Sequence, residues 1–306
     1  MLFKKLTKYE PTKSFTIEND GFYGNYYKPE KDYFPGKVLV IFGGAAGSFT
    51  LTKMNAEKFY EAGMNVLAIA YRNTEGTPST LSSIPIELIK NAVIWAKENI
   101  ASKVGVWGVS LGGELSLLVG SIFTDLISCV VAVNPMNFSQ QGMDSFKNMN
   151  YMNCSCFTYK GNDLPYYPFS LTSAELKQKV KKDSHLHHEF KYLSDYYTSE
   201  LSKMDDSADY MIKVENIEGS VLLLSAGSDT LLPSNLICKT IYERLESNQF
   251  DYPFEHHNYE IASHYLLPAK PLTTKMFQIE RKMPDECEQS RISSFNDTLL
   301  FLKEKW

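Results

Sequence analysis

The chain has 306 residues, and 31 Lys+Arg against 36 Asp+Glu leave a formal charge of −5. With 43% hydrophobic and 22% charged residues it lies in the ordinary globular range, which excludes collagen-like, coiled-coil and disordered classes. The mild negative charge, with Lys and Glu interspersed, argues against a nucleic-acid binder, which needs a basic face.

Residues 38–42 (V-L-V-I-F) form a continuous apolar run that stops at Gly43-Gly44, as expected of a strand buried on both faces. Residues 52–62 follow as a helix ended by Gly63, and 64–70 form a second buried strand. Residues 84–100 carry Ile86, Ile89, Val93, Ile94 and Ala96 at helical spacing, with Pro85 in the first turn. A strand over 104–109, a helix over 111–123 and a strand over 129–133 come next. Residues 135–215 break the alternation. They are polar and aromatic, with helical stretches near 173–182 and 186–203. The pattern resumes with a strand over 221–226, a helix over 234–247, a strand-like stretch near 251–262 and a helix over 294–305.

Strand–helix alternation implies a mostly parallel sheet with helices on both faces. At about 150 residues per domain the length allows two domains, but α/β folds often use such a length as one. We therefore expect a single domain over 1–306, with 135–215 inserted above the sheet as a cap or lid.

No apolar segment follows the N-terminal lysines, and no run approaches about 18 apolar residues, so neither a signal peptide nor a membrane span is expected. The cysteines are Cys129, Cys154, Cys156, Cys238 and Cys287. They are odd in number and without a C-x-x-C pair, which reads as reduced thiols in a cytoplasmic protein and not as a zinc site. No metal or organic cofactor is implied.

Residues 104–113 read V-G-V-W-G-V-S-L-G-G. This is G-x-S-x-G between a strand and a helix, the context in which the motif presents a nucleophile. The turn leaves no room for side chains two residues either side of Ser110, and Gly108 and Gly112 meet that need. The helix N-terminus directs partial positive charge toward a developing oxyanion.

A serine on such a turn is followed in chain order by an acid and then a histidine. Asp229, just beyond the strand over 221–226, is placed to orient an imidazole. Of the six histidines, His185, His187 and His188 precede Asp229 and read as a solvated helix face. His256 and His257 fall within a strand. His264, in A-S-H-Y beyond that strand, fits the base better than His257, because a base needs a loop to reach both partners.

One oxyanion donor is expected to be the N–H of Leu111. The second is expected from the loop G-G-A-A-G-S at 43–48, at Gly44 or Ala45. That loop lacks both the G-x-G-x-x-G spacing and a following Lys-Ser/Thr, so it is not read as a phosphate cradle.

These features resemble the α/β-hydrolase fold. More narrowly, they resemble the catalytic domain of the acyl-CoA thioesterase and bile acid-CoA:amino acid N-acyltransferase family. The likeness runs through F-P-G-K-V-L-V-I-F-G-G-A-A-G at 34–47, E-A-G-M-N-V-L-A-I-A-Y at 61–71 and P-I-E-L at 85–88. It continues through the segment at 104–117 and resumes over 219–271, where A-S-H-Y-L-L-P-A-K-P resembles the family's segment around its catalytic histidine. The resemblance implies that nucleophile, acid and base fall on Ser110, Asp229 and His264.

Family members carry an N-terminal immunoglobulin-like domain, for which residues 1–33 are too short; edge strands at 15–18 and 23–27 are expected there instead. The family's amino-acid-transferring members use cysteine as nucleophile and its thioesterases use serine, so Ser110 favours water as acceptor.

The expected activity is a serine hydrolase acting on a small-molecule acyl thioester or carboxylic ester through an acyl-enzyme. Carboxylesterase and acyltransferase are the nearest alternatives, and a serine peptidase or a non-catalytic binding module the more distant ones. Aromatic residues of the insertion, Tyr166 and Tyr167 among them, are expected over the acyl group. The lysines of K-Q-K-V-K-K at 177–182 read as an exposed helix face or a contact to coenzyme A phosphates.

Overall fold

A computed structural model describes residues 6–306. The chain enters through β1 (Lys13–Phe15), α1 (Ile17–Asp20) and β2 (Tyr23–Tyr27). It continues through β3 (Lys37–Phe42), α2 (Phe49–Glu61), β4 (Asn65–Ala70), β5 (Ile84–Pro85) and α3 (Glu87–Asn99). The centre follows as β6 (Lys103–Val109), α4 (Leu111–Ile122) and β7 (Cys129–Val133). The insertion comprises β8 (Gln141–Met143), β9 (Tyr151–Ser155), β10 (Phe157–Tyr159), β11 (Asn162–Asp163), α5 (Ser173–His187) and α6 (Ser194–Leu201). The chain then closes through β12 (Ser220–Ala226), α7 (Ser234–Ser247), β13 (Phe254–Tyr259), α8 (Gln278–Lys282) and α9 (Pro284–Glu304).

One eight-stranded sheet runs β1-β2-β4-β3-β6-β7-β12-β13. The strands β1 and β2 pair antiparallel to their neighbours, and all pairings from β4 to β13 are parallel. The apolar runs are explained by what lies on each face. Side chains alternate across a strand, and Val38, Val40 and Phe42 of β3 enter one core while Leu39 and Ile41 enter the other. The same split sends Val104 and Val106 of β6 one way and Trp107 and Val109 the other. Helices α3, α4 and α7 cover the first face, and α2 and α9 the second, where Phe59 meets Trp107 with ring centroids 5.9 Å apart.

Several local expectations change. Ile84 and Pro85 do not open a helix but pair in parallel with Phe157 and Thr158 of the insertion; Pro tolerates a short edge strand because its missing N–H costs no ladder bond there. The first edge strand ends at Phe15, and Ile17–Asp20 is a turn of helix capped by Thr16. The helical stretch 186–203 is broken at His188, which ends α5 with φ 56°, before α6 begins. The last helix starts ten residues earlier than expected, at Pro284, whose fixed φ suits a first turn.

Neither Tyr166 nor Tyr167 lines a cavity beside Ser110. Tyr167 is buried against Phe138, Phe169 and Tyr210, within the core that also covers the first face of the sheet. Among the described residues no helix is long and apolar enough to cross a membrane.

Candidate functional site

Four loops leave the C-terminal ends of parallel strands β3, β6, β12 and β13 and carry Gly44 and Ala45, Ser110, Asp229 and His264 respectively. Ser110 sits between β6 and α4 with φ 58° and ψ −123°, a conformation that costs a non-glycine residue about 1–3 kcal/mol. Its N–H donates to the Val133 carbonyl at 2.8 Å, and its carbonyl accepts from Glu114 N at 3.0 Å. The turn is closed so tightly that a Cβ on Gly108 would stand 2.0 Å from the Gly112 carbonyl oxygen, and one on Gly112 2.5 Å from that of Gly43. The spacing of the two glycines is therefore a steric requirement.

His264 and Asp229 are both buried, and His264 Nδ1 lies 2.7 Å from Asp229 Oδ2. A carboxylate only accepts, so the imidazole proton resides on Nδ1 and Nε2 is left for its other side. Asp229 is itself held on all sides. Its Oδ1 accepts from the N–H groups of Leu231 at 2.9 Å and Leu232 at 3.1 Å, and its Oδ2 also accepts from the Ser234 hydroxyl. Ser110 and His264 line two adjoining cavities together, with Ala45, Phe146 and Leu231 also common to both.

Leu111 opens α4, so its N–H has no partner inside the helix. The loop after β3 lies against the elbow. Tyr71 donates its hydroxyl to the Gly43 carbonyl at 2.8 Å and Arg72 donates to that of Ala45. With those carbonyls engaged, the loop's orientation beside Ser110 is fixed, and Gly44 and Ala45 both face the cavities.

His257 stays within β13, where Glu255 lies 2.9 Å and Asp297 3.5 Å from its ring nitrogens. His256 pairs with Ser225 at 2.7 Å, and burial holds its pKa below the usual imidazole value. His185, His187 and His188 lie at the end of α5 and line neither cavity, with His187 stacked on Tyr192. Among the described residues no cluster of His, Cys, Asp and Glu suits a metal ion.

Sequence reasoning missed three supports. Asn134, wholly buried with φ 46°, donates to the His264 carbonyl at 3.0 Å and accepts from Ala226 N at 2.9 Å; its place directly after a core strand was the available signal. Ser263 donates to Glu280 at 2.7 Å, which in turn pairs with the buried Arg291 at 2.5 Å. Glu114 is wholly buried in α4 and accepts from both the backbone and the side-chain amide of Gln140. Burial raises its pKa to about 8. A lone charge in the otherwise apolar L-G-G-E-L-S-L-L was its signal.

Residues 84–284 match the family model described as BAAT / acyl-CoA thioester hydrolase C terminal. Acyl-coenzyme A thioesterase 1 from Homo sapiens is 28% identical over 226 residues, which are 73% of this chain and 47% of the relative. Acyl-coenzyme A thioesterase 2, mitochondrial, from Mus musculus is 26% identical over 246 residues, 79% of this chain and 47% of the relative. The chain thus spans about half the length of these relatives. Among solved structures, MGS-M1, an α/β hydrolase enzyme from a Medee basin deep-sea metagenome library, superposes with a TM-score of 0.56 at 14% identity. The match covers 95% of this chain and 96% of that one, and carries the fold alone.

Proposed function

The chain belongs to the BAAT / acyl-CoA thioester hydrolase family, and we propose that it hydrolyses acyl thioesters or carboxylic esters with Ser110 as nucleophile, His264 as base and Asp229 as the acid that orients it. The observation carrying this reading is the buried 2.7 Å His264–Asp229 contact, with Ser110 and His264 lining the same cavities.

His264 Nε2 takes the hydroxyl proton of Ser110 as its oxygen attacks the substrate carbonyl. The oxyanion is held by the N–H of Leu111 and one from Gly44 or Ala45, and the N-terminus of α4 adds its dipole. The imidazolium then protonates the departing thiol or alcohol. Water, deprotonated by the same nitrogen, attacks the acyl-Ser110 ester, releasing the carboxylic acid and restoring the hydroxyl. Asp229 keeps the proton on Nδ1 throughout, which is the tautomer the cycle requires. Serine in place of cysteine favours water over an amine as acceptor. Residues 135–215 serve as the cap, contributing Gln140, Gln141, Met143, Phe146, Cys156, Leu193 and Tyr197 to the cavity wall.

The test is turnover of acyl-CoA and p-nitrophenyl esters by the wild type and Ser110→Ala, with fluorophosphonate labelling followed by peptide mapping. Loss of activity and of the label at Ser110 is expected; undiminished turnover in the variant would remove Ser110 from the mechanism.

A further inference from the structure

The cavity that Ser110, Leu111 and His264 share with the cap is also lined by Gln140 and Tyr197, which are 9% and 6% exposed. Gln140 donates through Nε2 to Glu114 Oε2 at 2.5 Å and through its backbone N–H to Glu114 Oε1 at 3.1 Å. With Nε2 engaged, its Oε1 has no hydrogen-bond partner among the described residues, and neither has the Tyr197 hydroxyl. Neither atom is sealed in the interior, as the Tyr151 and Tyr196 hydroxyls are. Gln141, on the same wall, differs. Its amide donates to the Met152 carbonyl at 2.9 Å, and its side-chain oxygen accepts from Phe169 N at 3.1 Å. Most of the remaining wall, including Leu81, Met143, Phe146, Leu193 and Leu232, is apolar.

Both unengaged groups are held in place. The Gln140 carbonyl accepts from Cys156 N at 2.9 Å, and Tyr197 N donates to the Leu193 carbonyl at 3.0 Å. The Tyr197 ring lies 5.8 Å from that of Phe169 and 5.5 Å from that of Tyr196, centroid to centroid. An amide oxygen only accepts, whereas a phenol can donate. A cavity of about 50 Å³ turns the two on one small group, and a hydroxyl is the group that donates to the first while accepting from the second. A purely aliphatic group there would leave both unpaired and out of water, which is how a hydrogen-bonding pocket rejects an analogue that lacks the polar atom.

Resting on the hydrolase reading above, we propose that the enzyme selects substrates that carry a hydroxyl near the scissile carbonyl, with Gln140 Oε1 as its acceptor and Tyr197 Oη as its donor. The hydroxyl belongs to the acyl chain or to the leaving group, and the two sources are separated by experiment.

The experiment is kcat/KM for matched pairs of substrates, with wild type, Tyr197→Phe, Gln140→Met and Ser110→Ala. In the acyl arm the leaving group is constant: butyryl-CoA against 2-hydroxybutyryl- and 3-hydroxybutyryl-CoA, each enantiomer separately. In the leaving-group arm the acid is constant: butyl acetate against 4-hydroxybutyl acetate. Wild type is expected to favour the hydroxylated member of one arm by at least about tenfold, the worth of two hydrogen bonds. The arm that shows the preference identifies the source. Either substitution is expected to lower that ratio by about three- to tenfold. A merely structural disturbance would slow both members of a pair alike and leave the ratio unchanged. Tyr197→Phe breaks no hydrogen bond to the described residues, so it is the variant that keeps the fold.

Equal turnover within every pair by wild type, or a preference that survives both Tyr197→Phe and Gln140→Met, overturns this inference and leaves the hydrolase reading in place. Activity that survives Ser110→Ala, or no turnover of any substrate by wild type, overturns both.

Discussion

Asn134 ties the loop of His264 to the strand that leads to Asp229. Its side-chain amide donates to the His264 carbonyl at 3.0 Å, and its side-chain oxygen accepts the N–H of Ala226, three residues before Asp229, at 2.9 Å. Its own N–H donates to the Leu224 carbonyl, so one buried residue at the end of β7 sets the separation of two loops. Asn tolerates the left-handed backbone adopted here. Asn134→Ala is expected to leave the His264 carbonyl and the Ala226 N–H unpaired, costing about 1–3 kcal/mol of stability by urea denaturation. A larger relative loss in kcat than in KM is expected, because the imidazole loses its backbone anchor. Unchanged kcat in a folded variant would count against this role.

Asp229→Asn should separate orientation from packing. The carboxamide oxygen can still accept from the Leu231 and Leu232 N–H groups, while its NH₂ faces His264 and favours the wrong tautomer. A fall of about 10³–10⁴-fold in kcat is expected with only a small change in melting temperature. Calorimetry beside the kinetic measurement checks it.

Glu114 makes stability depend on pH. Its carboxyl is raised by burial from 4.5 to about 8 in the folded protein, so between those values the folded state holds a proton that the unfolded chain has released. Unfolding free energy therefore declines as pH rises through that window; the contribution is complete below about 4.5 and lost above about 8. Glu114→Gln keeps a polar group of similar shape and removes the titration. Urea denaturation at pH 5, 6.5 and 8 is expected to show a decline in wild type that is flatter in the variant. Parallel slopes would refute the assignment.

Arg291 and Glu280 form a buried ion pair, with side chains 4% and 2% exposed, that receives the Ser263 hydroxyl beside His264. Arg291→Met strands a carboxylate in the interior and is expected to cost about 3–5 kcal/mol. Adding Glu280→Leu should restore much of that, since replacing both charges removes the desolvation penalty. Thermal unfolding of the single and double variants tests the coupling. The double variant also asks whether Ser263 needs its partner to hold His264 in place: a restored melting temperature with a reduced kcat would indicate that it does.

The parallel core was legible because buried strands must be apolar on both faces, as in V-L-V-I-F, and because Gly108 and Gly112 betray a turn with no space for side chains. The first and last elements were less legible. Ile17–Asp20 and the segment before 294 carry mixed polar residues whose conformation is set by a Thr16 cap and a Pro284 start. The insertion was legible only in part, because aromatic residues signal burial without saying what buries them. Tyr167 packs against Phe138 and Phe169, while the cavity is walled by Met143, Cys156 and Tyr197. The cytoplasmic expectation rests on the sequence alone, and the relatives include a protein named as mitochondrial.

By itself the sequence determined the order of Ser110, Asp229 and His264 and the strand ends they follow, because backbone sterics and hydrophobic periodicity act over a few neighbouring residues. Only the tertiary structure showed the His264–Asp229 contact itself, that Asn134 ties both loops, and that Leu81 and Met143 from separate segments meet in the cavity wall. Those are contacts between segments 35 to 130 residues apart, or across the cap, and burial together with hydrogen-bond satisfaction selects them only once the whole sheet has formed.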